Sequence, residues 1–115
     1  MEIKTEDYHI YYDTKTTTMT YTGILRLGGM DEYAPIVQLF NQILEQEPPL
    51  IKINLCQLQL LNSSGINILS KFIIKVRQKK HIKMVIQGSK KIPWQNKSLK
   101  NLQRLMPNLQ LDIEE

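Results

Sequence analysis

What the chain lacks sets its first bounds. It has one cysteine, Cys56, so no internal disulfide can form, and 115 residues must be held by a single apolar core. Acidic residues are missing from Pro48 through Leu111, while that span carries all but Lys4, Lys15 and Arg26 of the 15 Lys and Arg. The formal net charge of +4 therefore hides a strong asymmetry. Such a field attracts an acidic partner or a polyanion, although a merely solvated basic face is the commoner reading and the one preferred on sequence. No apolar run approaches the roughly 20 residues of a membrane span. Met1 to Tyr12, with Glu2, Glu6 and Asp7, does not read as a signal peptide. A cytoplasmic protein with no membrane association is expected.

Groups that would carry chemistry are equally sparse. His9 and His81 stand far apart with no ligand-spaced Cys, His or carboxylate, so both read as ordinary surface or strand-end residues, with no metal and no cofactor expected. Gly88-Ser89-Lys90-Lys91 lacks the spacing of a phosphate-binding loop and reads as a strand exit. Ser63 and Ser64 lack the flanking glycines of a nucleophile elbow. The chain is not expected to be an enzyme. Cys56 lies in a β-prone stretch and reads as a small buried apolar residue. Trp94, before the last helix, reads as a plug over the core in preference to an exposed partner anchor.

What is present is a regular alternation of strands and helices. Met1 to Asp7 is polar and is expected to fray at its start. Tyr8 to Tyr12 and Thr16 to Leu27 form a hairpin about Asp13-Thr14-Lys15. Tyr33, Ile36, Val37, Phe40 and Leu44 recur at helical spacing to about Gln46, with Pro35 placed in the first turn. Pro48-Pro49 leads into a strand from Leu50 to Cys56, with Ile51, Ile53 and Leu55 on one face. Later come a strand over His81 to Gln87, a helix from Asn96 or Ser98 stopped by Pro107, and a short strand over Asn108 to Ile113. This order argues for one α/β domain over residues 1–115, its core at about 8–113.

The chain is organised around Leu55 to Val76. A strand enters it, and a helix leaves with Ile66, Leu69, Ile73 and Val76 on one face and Ile68 and Phe72 widening the stripe. Between them, Asn62-Ser63-Ser64-Gly65 supplies a helix cap from Asn62 or Ser63 and puts Ser64 in the first turn. A hydroxyl there sits beside free N–H groups and the positive dipole end, where an added phosphate is well tolerated.

At these residues the sequence resembles a STAS domain of the anti-sigma-factor antagonist type. That family's motif, Asp-Ser-Ser-Gly or Asp-x-Ser-Gly between strand and helix, stands here as Asn62-Ser63-Ser64-Gly65. Gly23 to Leu27, followed by Ala34-Pro35 opening a helix, resembles the family's first long strand and first helix. The resemblance implies a mixed β-sheet of four to five strands packed with helices, and a partner-switching role in signal transduction and transcription regulation. It places the phosphoacceptor at Ser64, with Ser63 second, and a phospho-turn and partner-binding surface at Asn62, Ser63, Ser64, Gly65, Ile68, Lys71, Phe72 and Lys75. Implied partners are a serine kinase of the histidine-kinase-like ATPase fold, which doubles as the anti-sigma factor, and a metal-dependent serine phosphatase. The departure is Asn62 where the family has Asp. If that carboxylate only caps the helix, Asn62→Asp should change stability little. Two alternatives stand beside this reading: a nucleic-acid-binding domain using the acid-free half, which lacks a helix-turn-helix or stacking aromatics, and a STAS-like sensor of a small ligand.

Overall fold

The computed structural model describes residues 1–115. Six strands and three helices follow one another as β1 (Glu2–Lys4), β2 (Tyr8–Asp13), β3 (Thr18–Leu25), α1 (Met30–Glu45), β4 (Leu50–Leu61), α2 (Ser63–Gln78), β5 (Lys83–Ser89), α3 (Pro93–Gln103) and β6 (Gln110–Glu114). All six strands join one sheet in chain order, β1-β2-β3-β4-β5-β6. The first two pairings are antiparallel and the last three parallel. Each helix bridges neighbouring parallel strands and every crossover advances the same way, so right-handed connections put all three helices on one face. Burial agrees: Ile51, Ile53 and Leu55 of β4 are buried, while Lys52 and Asn54 between them are half-exposed.

The sheet is thus larger than the four to five strands expected. The added strand is β1, in the segment expected to fray, and it pairs Ile3 with Ile10. Thr5 makes the turn, its Oγ1 accepting from the N–H groups of Asp7 and Tyr8. β4 also outruns its expected end at Cys56 by five residues, pairing with β3 as far as Leu61. α1 begins at Met30, which moves Pro35 out of the first turn; lacking an N–H, Pro35 leaves the Asp31 carbonyl without its helical donor. α3 begins earlier than expected, at Pro93, whose fixed φ suits a first helical position.

The core lies between the sheet and the helices. Phe40 of α1 stacks on Phe72 of α2 with ring centroids 4.2 Å apart and planes 13° off parallel. Ile68 and Phe72 are 4% and 2% exposed, so the two residues expected to face a partner are core residues instead. α2 packs on both the sheet and α1, and an apolar stripe wide enough to serve two neighbours has nothing left for a third. Truncating Phe72 to Ala would cost about 3–5 kcal/mol through lost burial and the cavity left behind.

Candidate functional site

The β4–α2 turn is built around the Asn62 side chain. Asn62 is the residue that caps α2: its Oδ1 accepts from the Gly65 N–H at 3.0 Å and from the Tyr33 hydroxyl of α1 at 2.7 Å. Its Nδ2 donates to the Leu27 carbonyl at 2.8 Å. One amide therefore ties the start of α2 to α1 and to the β3–α1 loop, with donor and acceptor each where its partner needs it. A carboxylate at 62 would set an oxygen against the Leu27 carbonyl. Asn62 does more than cap the helix, so Asn62→Asp is expected to cost stability rather than to be nearly neutral. Burial raises the Tyr33 pKa above its usual value, so the hydroxyl keeps the proton it donates.

Gly65 is fixed by close approach. A Cβ there would lie 2.7 Å from the Tyr33 hydroxyl oxygen and would strike the Leu61 side chain. A glycine at this place in the turn follows from packing, whatever the serines do.

Ser63 and Ser64 occupy the first two helical positions of α2, Ser63 exposed and Ser64 half-buried. Because Asn62 is the cap, the Ser63 hydroxyl is not spent on capping the helix. The first turn carries no acidic side chain to compete for the helix dipole. Beside the turn, the β3–α1 loop leads to Met30, 51% exposed, and Ile24 at the end of β3 is 43% exposed.

The other expected site residues divide. Lys71 and Lys75 are exposed on α2, and Lys75 leans on α1, its Nζ donating to Asn41 Oδ1 at 3.2 Å. Ile68 and Phe72 leave the site for the core. Trp94 packs against the core with its indole N–H donating to the Leu58 carbonyl at 2.9 Å, as a plug would. Cys56 is half-exposed and not buried, its Sγ 3.4 Å from the Gly88 carbonyl. Desolvation, with the nearby Glu114 carboxylate, pushes its thiol pKa up to about 11, so it stays protonated near neutrality.

One residue with structural weight escaped the sequence reading. Gln95, 1% exposed, donates to the Leu55 and Leu58 carbonyls at 2.6 and 3.2 Å and accepts from the Ser89 N–H at 2.8 Å. It closes the stretch of β4 that runs beyond its pairing with β5. The available signal was its spacing to Leu99 and Leu102, which puts a polar residue on an apolar face.

Beneath the turn lies an apolar cavity of about 20 Å³ between α1, α2 and the sheet, lined by Tyr21, Tyr33, Phe40, Gly65 and neighbouring aliphatics. The Tyr21 hydroxyl is buried without a hydrogen-bond partner.

This architecture has solved counterparts. Over 99% of both chains it resembles a chain in the crystal structure of the diguanylate cyclase SiaD in complex with its activator SiaC from Pseudomonas aeruginosa, with a TM-score of 0.74 and 10% identity. It also matches SiaC of Pseudomonas aeruginosa at a TM-score of 0.72 and 10% identity, over 99% of this chain and 98% of that one. The fold is SiaC-like. No protein-family model matches the sequence, and no curated protein matches it closely enough to count as a relative. A SiaC-like fold is compatible with the STAS-like architecture implied by the turn, with six strands in its sheet. No helix is long and apolar enough to cross a membrane.

Proposed function

We propose that the chain is a protein-binding regulator of the STAS-like, partner-switching kind, docking through the β4–α2 turn and the adjoining β3–α1 loop, with phosphorylation of the Ser63–Ser64 pair controlling that docking. One observation carries the reading: the fold spends Asn62, and neither serine, on capping α2. Two hydroxyls are thereby left at a helix start, where backbone N–H groups and the dipole accommodate a phosphate. The motif resemblance favours Ser64 as acceptor. Exposure favours Ser63, which a kinase reaches without moving the chain.

A phosphate adds about −1.5 to −2 charges at neutral pH, so the turn acquires a hydrated dianion that a partner packed over it would have to desolvate. The chain is then a substrate and a ligand, not a catalyst. A serine kinase of the histidine-kinase-like ATPase fold and a metal-dependent serine phosphatase are the enzymes this scheme requires. The structural neighbours lend support to a regulator that binds an enzyme, since SiaC is described as the activator of a diguanylate cyclase. They lend none to a sigma-factor output. A small ligand is disfavoured in the cavity beneath the turn, because about 20 Å³ has room for little more than one water.

The test pairs binding with stability. Ser63→Ala and Ser64→Ala should each retain a partner captured from native cells. Glu at the regulatory position should release it with the melting temperature changed little. A Glu variant that loses partner and fold together would overturn the surface-blocking mechanism.

A further inference from the structure

We infer that the outer faces of α2 and α3 form a docking surface for an acidic protein surface, adjoining the serine turn. This rests on that turn being the regulated docking site, and it names the chemistry of the partner. Lys71, Lys75 and Lys79 follow one another at four-residue spacing on α2 and just beyond it, and Lys97, Lys100 and Arg104 do the same at spacings of three and four along α3. All six are exposed. Neither helix carries an acid. Of the six, Lys79 alone reaches a carboxylate, that of Glu47 at 3.8 Å.

Like charges at these spacings repel and weaken a helix, and here the arrangement occurs on two helices. The macrodipole rewards Lys75 and Lys100, which lie in last turns, but not Lys71 or Lys97. A face kept only for solubility would interleave both signs. The acids of the helix layer lie on α1, as Asp31, Glu32 and Glu45, and only Glu45 comes beside the basic face, sharing a groove with Lys75 and Lys79. A nucleic acid fits less well, because stacking aromatics are missing from this face: Trp94 is half-buried with its indole N–H already bonded.

Ser63 and Lys71 are eight residues apart, roughly 12 Å along the helix axis. That exceeds the Debye length of about 8 Å at physiological salt. Charge on the serine and charge on the basic face therefore act separately: the face sets how fast an acidic partner arrives, the turn how long it stays.

The experiment compares two triple variants of equal net charge. Lys71→Glu, Lys97→Glu and Lys100→Glu change the helix face; Lys15→Glu, Lys52→Glu and Lys83→Glu change the β2–β3 turn and two strand positions. Labelled poly-L-glutamate is the probe, at low and at physiological salt, with thermal melts to confirm folding and a Gln version of the helix triple in case the Glu version does not fold. The helix triple should weaken binding about tenfold, and the strand triple by no more than about twofold. Equal losses would show that only net charge matters and would overturn the proposal, as would failure of the native chain to bind at low salt. Tighter binding of a DNA duplex than of poly-L-glutamate at physiological salt would also overturn it, in favour of a nucleic-acid surface. Ser63→Glu should leave probe binding within about twofold, so a failed serine switch and a failed basic face give different results.

Discussion

Two strand-to-helix turns stand at the same end of the sheet and use their polar groups in opposite ways. In the β5–α3 turn the serine is consumed internally: the Ser89 N–H bonds to Gln95 and Ser89 Oγ accepts from the Lys91 N–H, while Lys90 pairs with Glu115. Ser89 is buried, and α3 starts with no side-chain cap. In the β4–α2 turn one residue, Asn62, satisfies the cap, α1 and the β3–α1 loop together, and leaves two serines over. The first turn locks a helix onto the sheet. The second locks a helix and keeps hydroxyls in reserve, and that surplus distinguishes a site from a joint.

The sharpest way to break this contrast is at the joint. Gln95→Leu should strand the Leu55 and Leu58 carbonyls and the Ser89 N–H in a buried setting, costing about 3 kcal/mol. The check is a denaturant melt, and a loss below about 1 kcal/mol would mean that water replaces the side chain.

At the site, Asn62→Asp should cost about 1–3 kcal/mol, through loss of the Leu27 bond and repulsion from its carbonyl. A neutral result by the same melt would return Asn62 to the status of a simple cap.

What was legible in the sequence was local. The order of strands and helices, the place of the turn and the apolar stripe of Ile66, Leu69, Ile73 and Val76 all follow from periodicity over a few residues. β1 was illegible because three residues with charge at both ends carry no period; its place depends on Ile10 across the sheet. The roles of Asn62 and Gln95 were hidden for the same reason, since Tyr33 lies 29 residues from Asn62 and Leu55 lies 40 from Gln95. The family resemblance assigns Ile68 and Phe72 to the partner surface, whereas the wide stripe they belong to is used up by the sheet and by α1. The serine turn was legible as a motif, but which residue caps the helix was not.

Smaller effects sharpen the contrast. Ser63→Ala and Ser64→Ala should each shift stability by less than about 0.5 kcal/mol, as expected of residues outside the hydrogen-bond framework. A loss of 1 kcal/mol or more in a melt would place that serine in the joint. Smallest of all, Tyr21→Phe should be neutral or slightly stabilising, because it removes a buried hydroxyl that has no partner. Destabilisation of more than about 1 kcal/mol would reveal a partner such as an ordered water in the cavity.

The most direct test of the serine turn is to purify the protein from its native cell and map its phosphorylated residues by mass spectrometry, with and without phosphatase treatment. Phosphate removable by phosphatase should be found on Ser63 or Ser64. Phosphate confined to other residues, or none under conditions where the regulator is released from its partner, would contradict the assignment of this turn as the switch.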